Sequence, residues 1–181
     1  MPNAVRTQTF SESVIRAMTR LANAHGAVNL SQGFPDFPMP DAMKEAAVAS
    51  IRGDVNQYAI TWGAKKLRDA IAGRYLRRYG MTVDPERDIT IACGATEATA
   101  SVFLALFNPG DEVLIFEPFY ENYGPDAILC DARPVYVPLT PPTWAYDEAV
   151  LRRAVGPKTR ALVLNSPHNP TGRVFSRAEL E

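Results

Sequence analysis

Asn165-Ser166-Pro167-His168-Asn169-Pro170-Thr171-Gly172 closes the apolar run Ala161-Leu162-Val163-Leu164. The apolar run reads as a strand covered on both faces, the kind found in a mainly parallel sheet. The octapeptide itself is unusual. Two prolines and two asparagines crowd a strand end, which is costly unless the backbone is needed in one fixed path. A Pro-rich turn with asparagine as turn former is the plainer reading, but the spacing of the octapeptide makes it hard to maintain. The side-chain amide of Asn169 can donate a hydrogen bond to a phenolate-like oxygen.

Working outward, the same alternation repeats. Residues 89–93, 112–117, 134–138 and 161–165 read as strands, and residues 96–107, 120–129 and 146–155 as the helices between and around them. This spacing predicts an α/β fold with a mainly parallel sheet. The chain before residue 89 is different. Residues 11–25 predict a helix with Val14, Ile15, Met18, Leu21 and Ala22 on one face and Gly26 after it. Residues 41–52 and 64–79 predict two more, stopped at Gly53 and Gly80. Between them, Pro35, Pro38 and Pro40 forbid regular structure, so residues 28–40 read as an extended connector.

Composition excludes several classes. The chain has 181 residues, 46% apolar and 22% charged, with net charge −1. That is enough for a well-buried domain, with no basic stripe to suggest nucleic acid or an anionic membrane. The apolar run 98–107 contains Thr99 and Ser101 and is too short to span a bilayer. No signal-peptide core stands at the N-terminus. Cys93 and Cys130 are too few for a disulfide framework and fit a reducing cytoplasm. His25 and His168 are the only histidines, and no metal-ligand spacing occurs.

Ligands in open α/β sheets bind beyond the carboxyl ends of strands, so the strand ends matter. The first runs into Cys93-Gly94-Ala95-Thr96-Glu97-Ala98. A helix starting near Thr96 would offer free N–H groups and a positive dipole end to a phosphate, with the Thr96 hydroxyl adding a donor. An ordinary strand-to-helix turn with Thr96 as N-cap explains these residues more simply when they are taken alone. The second strand ends in Glu117-Pro118-Phe119-Tyr120-Glu121-Asn122-Tyr123, where an aromatic ring comes after a fixed exit. A flat ring could stack there, although plain packing accounts for most such pairs.

Four segments together carry a resemblance: Asn29-Leu30-Ser31-Gln32-Gly33-Phe34-Pro35-Asp36; Asn56-Gln57-Tyr58; Gly94-Ala95-Thr96-Glu97-Ala98 with Pro109-Gly110-Asp111-Glu112-Val113; and the octapeptide. In this order and spacing the chain resembles the N-terminal half of class I/II pyridoxal-phosphate aminotransferases of fold type I. The nearest branch is similar to the kynurenine/glutamine and succinyl-diaminopimelate aminotransferases. The resemblance implies an incomplete three-layer α/β/α sandwich behind a helical N-terminal arm. Residues 1–38 would be arm and small-domain segment, and residues 39–181 part of the large domain. It implies pyridoxal 5'-phosphate as cofactor, amino acid and 2-oxo acid as substrates, a ping-pong transamination and a homodimer.

The resemblance also assigns roles. Backbone N–H groups of Ala95 and Thr96 would hold the cofactor phosphate, and Tyr120 would stack on its ring. Asn169 would hydrogen-bond the ring oxygen, with Asn165 behind it. Gly33 would lie against the substrate carboxylate, and Tyr58 would reach a partner's phosphate. It places cis peptide bonds at Glu117–Pro118 and Asn169–Pro170. The family's Schiff-base lysine, in a Ser-x-x-Lys context, is expected beyond Glu181. Lys44, Lys65, Lys66 and Lys158 all lack that context, with Asp41, Trp62, Gly63 and Val155 three residues before them. The chain therefore reads as a fragment without a catalytic residue of its own. A β-lyase using the same site, or a remnant that only binds a phosphate ligand or a partner, are the alternative readings.

Overall fold

A computed structural model describes residues 4–8 and 10–181. They form two compact units, one of residues 12–93 and one of residues 94–181 with the described residues up to Ser11.

The unit of residues 12–93 is helical. Helix α1 (Val14–His25) begins where the Ser13 side chain accepts from the Arg16 N–H at 3.3 Å, and ends at Gly26 with φ 59°. The cap moves the start from residue 11 to 14, because Ser13 takes one of the orphan first-turn donors. The expected apolar face is only partly covered: Ile15 and Ala22 are half-buried, while Val14, Met18 and Leu21 are exposed. Helix α2 (Asp41–Arg52) follows Pro40, and α3 (Lys65–Tyr79) stops at Gly80 with φ 66°. The connector has no helix or strand. Its start is tied to α1 through Asn29 Nδ2, which donates to Thr19 Oγ1 at 2.9 Å. Arg68 of α3 is fully buried. Its Nε donates to the Gly63 carbonyl at 2.9 Å, its Nη1 donates to the Pro85 carbonyl, and it pairs with Glu86 at 3.2 Å.

Residues 89–93 correct the sequence reading, because they form no strand. Ile91 N–H donates to the Trp62 carbonyl at 3.0 Å, and no ladder continues from that bond. A β pattern becomes a strand only when a neighbour supplies the ladder.

The second unit holds the sheet. Helix α4 (Gly94–Leu106) precedes strand β1 (Glu112–Glu117). Helix α5 (Tyr123–Leu129) comes next, then β2 (Arg133–Thr140), β3 (Ala145–Tyr146), helix α6 (Glu148–Ala154), β4 (Thr159–Val163) and α7 (Arg177–Leu180). Strand order is β3-β2-β1-β4, with β2 and β4 parallel to β1 and β3 antiparallel to β2. Ile115 of the central strand stands opposite Tyr136 on one side and Val163 on the other. Residues 112–116 are all buried, as the unbroken apolar run requires.

Alternation along β1 divides the core. Val113 and Ile115 pack with Phe103, Ala127, Cys130 and Ala132, from α4 and the end of α5. Phe116 packs on the other face with Val137, Leu139 and Phe175, and α6 joins through Val150 and Leu151. Helices therefore cover both faces of a mainly parallel sheet, which is the expected α/β layering.

Two further boundaries differ from expectation. Tyr146 was expected to open a helix but lies in β3. The helix begins after Asp147, whose carboxylate accepts from the Ala149 and Val150 N–H groups at 2.7 and 3.3 Å. Residues 120–122 stay outside α5, which begins at Tyr123 with Asn122 at its N-cap.

Among the described residues β4 pairs only with β1, so its outer edge is open. Leu162 and Leu164 are exposed beside it. Helix α4 carries one charged residue, Glu97, yet exposes Val102, Leu104 and Leu106. An open edge is a template for pairing, and a helix apolar on most sides is normally covered. The chain is expected to self-associate as its concentration rises. Size-exclusion chromatography over the micromolar range checks this. A monomeric peak throughout, with one cooperative urea transition, would show that these surfaces stand free.

Candidate functional site

Strands β1 and β4 are parallel neighbours, so the loops that leave them emerge at the same edge of the sheet. Tyr120 stands in the first loop, and Asn165 and Asn169 in the second. The N-terminus of α4 meets the first loop, because Asn122 Nδ2 donates to Thr96 Oγ1 at 2.8 Å. Ala95, Thr96, Tyr120, Asn165 and Asn169 all belong to one unit.

Helix α4 begins at Gly94, whose φ of 87° lies in the region that favours glycine. Nothing lies within 4 Å of where a Cβ would stand, so the demand there is conformational rather than steric. The early start puts Thr96 inside the first turn and corrects its reading as N-cap. Ala95 and Thr96 are exposed. Their N–H groups fall in the turn that lacks intrahelical acceptors, at the positive end of the dipole.

In the loop after β1, Phe119 stacks on Tyr136 at 5.1 Å with rings 5° apart. Anchoring of that ring leaves its neighbour Tyr120 half-buried at the sheet edge, edge-on to Tyr123 at 5.9 Å. Burial, with Tyr120 next to it, pushes the Tyr123 hydroxyl pKa up, so Tyr123 stays neutral.

The octapeptide is held at several points. Asn165 Oδ1 accepts from the Asn169 N–H at 2.7 Å. Gly172 N–H donates to the His168 carbonyl at 2.6 Å, and His168 N–H to the Arg173 carbonyl at 2.7 Å. Ser166 Oγ accepts from the Phe175 N–H at 3.3 Å. Both expected cis bonds are present, and Ser166–Pro167 and Pro141–Pro142 are cis as well. The Asn169 backbone is fixed while the residue itself remains exposed.

His168 carries a part that the sequence reading did not assign. It is buried, its Nδ1 lies 2.8 Å from Thr171 Oγ1, and its ring meets Phe175 edge-on. Burial, and secondarily Arg173, lowers its pKa. Arg173 pairs with Glu179, donates to the Thr143 carbonyl at 3.1 Å and lies 5.0 Å from the Phe175 ring. Glu179 completes a capping box with Ser176 at the start of α7. Bonds from the Ser176 N–H and hydroxyl hold its carboxyl below the usual range, with Arg173 adding to the effect. The Ser176-x-x-Glu179 pattern was the available signal for this support.

Gly33 and Tyr58 belong to the other unit. Nothing lies within 4 Å of a Cβ at Gly33, and Tyr58 is fully exposed. Lys158 is the one lysine of the sheet-bearing unit. It precedes β4, where its carbonyl accepts from the Glu112 N–H at 2.8 Å. That is the sheet edge opposite to Asn165.

The donor set fits a flat, phosphate-bearing ring with an acceptor oxygen. Helix-end amides and a hydroxyl suit the anion, the phenol suits the ring face, and the amide suits the oxygen.

Residues 25–181 match the profile of the family described as aminotransferase class I and II. The probable N-succinyldiaminopimelate aminotransferase DapC of Mycobacterium tuberculosis is 48% identical over 97% of this chain and 45% of its own length. Human kynurenine–oxoglutarate transaminase 1 is 41% identical over 90% and 42%. The solved N-succinyldiaminopimelate aminotransferase from M. tuberculosis superposes with TM-score 0.92 at 46% identity, over 99% of this chain and 47% of that one. The Escherichia coli methionine aminotransferase YbdL superposes with TM-score 0.93 at 36% identity, again over 99% and 47%. The chain spans a little under half the length of the relatives it matches. With the profile covering most of its length, the chain belongs to the aminotransferase class I and II family.

Proposed function

We propose that this chain supplies the phosphate- and ring-binding part of a pyridoxal-phosphate aminotransferase that moves an amino group from an amino acid to a 2-oxo acid. One observation supports the reading most: the loops carrying Tyr120 and Asn169 leave adjacent parallel strands at the same edge, and the first of them is bonded to α4's first turn. When bound, pyridoxal phosphate supplies the electron-withdrawing ring that this chemistry needs. The protein's own residues bind and orient. The Ala95 and Thr96 N–H groups hold the phosphate, and Tyr120 covers a ring face and excludes water. Asn169 donates to the ring oxygen, and Asn165 keeps the Asn169 backbone in place. Gly33 lies against the substrate carboxylate. Tyr58 serves a second subunit of a homodimer, a reading that its full exposure supports. Residues 1–38 form the arm and small-domain segment, and residues 39–181 the large-domain part. The cytoplasm is the compartment proposed, because Cys93 and Cys130 are too few for a disulfide framework.

Titration of the chain with pyridoxal phosphate tests this reading. Saturable binding is expected, and Asn169→Ala is expected to weaken it by up to about tenfold, the range of one lost neutral hydrogen bond. Absence of saturable binding, or an unchanged affinity in Asn169→Ala, would count against it.

A further inference from the structure

Asn122 occupies the N-cap of α5, yet its side chain makes no cap bond there. An asparagine at that position accepts from an N–H two or three residues on. The third residue here is Pro125, which has no N–H. The side chain turns to another helix instead, and Nδ2 donates to Thr96 Oγ1 at 2.8 Å. The Asn122 carbonyl meanwhile accepts from the Asp126 N–H at 2.8 Å, which fixes the residue to α5.

This bond has a direction. A threonine hydroxyl has one proton and two lone pairs. Asn122 takes a lone pair and leaves the Thr96 proton available to donate. Thr99, one turn on, spends its own hydroxyl proton on the Ala95 carbonyl at 2.8 Å and so does not donate to Thr96.

Resting on the reading of this edge as a pyridoxal-phosphate site, we propose that Asn122 is a positioning residue for phosphate capture. It holds the Thr96 hydroxyl as a donor to an anion at the α4 N-terminus. It also couples that helix end to the loop carrying Tyr120, two residues away. A carboxylate at position 122 would reverse the bond. It would accept the Thr96 proton and add negative charge beside the anion.

The test uses the full 181-residue chain with Asn122→Asp, Asn122→Ala, Thr96→Val and Asn122→Asp/Thr96→Val. Each is titrated with pyridoxal phosphate and with pyridoxal, which lacks the phosphate. Asn122→Asp is expected to weaken pyridoxal phosphate about tenfold or more, the range of a hydrogen bond to a charged group, and Asn122→Ala severalfold. Pyridoxal affinity should change by less than about twofold, since the effect runs through the phosphate. The losses from Asn122→Asp and Thr96→Val should be less than additive in the double variant. Urea midpoints identify any variant that fails to fold, and Asn122→Ser then replaces it. Wild-type affinity for pyridoxal phosphate in Asn122→Asp overturns the inference while leaving the site reading intact. Equal losses of both ligands overturn it in favour of a structural role. If the unaltered chain binds no pyridoxal phosphate, the site reading fails and the inference falls with it.

Discussion

Phe175→Ala is expected to cost about 3–5 kcal/mol of stability, the range for truncating a buried aromatic. Phe175 is 5% exposed and packs with Phe116, Val137 and Leu139. Its ring stacks on Phe116 at 5.6 Å and meets His168 edge-on, so truncation opens a cavity beneath the octapeptide. The total stability of a domain is typically about 5–15 kcal/mol, so this one change is a large fraction of it. Trp144 packs against the same cluster and reports the transition by fluorescence during urea unfolding. A loss below about 1 kcal/mol would show that the cluster collapses around the gap or contributes little. The unaltered chain should also lose stability as the solution is acidified from the ordinary histidine value of 6.5. The folded His168 pKa lies lower, so the unfolded chain takes up the proton first and is favoured as pH falls. Above that value both states are neutral and the contribution is fully present. His168→Gln should flatten this part of the pH profile.

The second large effect is an absence. Incubation with pyridoxal phosphate followed by borohydride is expected to leave no lysine labelled in stoichiometric yield, and the chain alone should turn over no amino donor. Lys158 precedes β4 and Asn165 follows it, so the five residues of that strand, which span roughly 16 Å at about 3.3 Å per residue, and Leu164 lie between them. Lys44 is paired with Asp41 and Lys65 with Asp69, both at 2.8 Å. None of the four lysines has the Ser-x-x-Lys context that the family resemblance requires. Peptide mapping after reduction reads the result directly. Full labelling of one lysine, with turnover abolished by its replacement, would overturn the prediction.

The elements that local chemistry can specify were legible. Helix α2 runs over residues 41–52 as expected, and α3 ends at Tyr79 before a left-handed Gly80. Such ends depend on the residue itself and its immediate neighbours, through proline before the first turn and glycine after the last. The central strand β1 matches residues 112–117, because its run Val113 to Phe116 is unbroken and apolar, as a strand covered on both faces must be. The octapeptide was legible as well, and the two expected cis bonds came from the family resemblance, whereas those at Pro142 and Pro167 were not expected.

The features that escaped the sequence depend on partners outside the residue's own element or turn. Residues 89–93 carry a strand pattern, but no strand pairs with them. Tyr146 joins β3 because Leu139 stands opposite it, and nothing in its own neighbourhood announces that. His168 reads as one residue of a turn until Phe175 and Arg173 enclose it. Asn122 reads as one residue of the expected helix 120–129 until the fold brings Thr96, 26 positions earlier, within 2.8 Å. The sequence by itself determined the octapeptide, the glycine stops of the first three helices and the α/β alternation, because backbone conformation and periodicity are short-range properties. Only the tertiary structure decided strand pairing, the burial of His168 and the direction of the Asn122–Thr96 bond. Each of these depends on packing or pairing that appears only once the chain is folded.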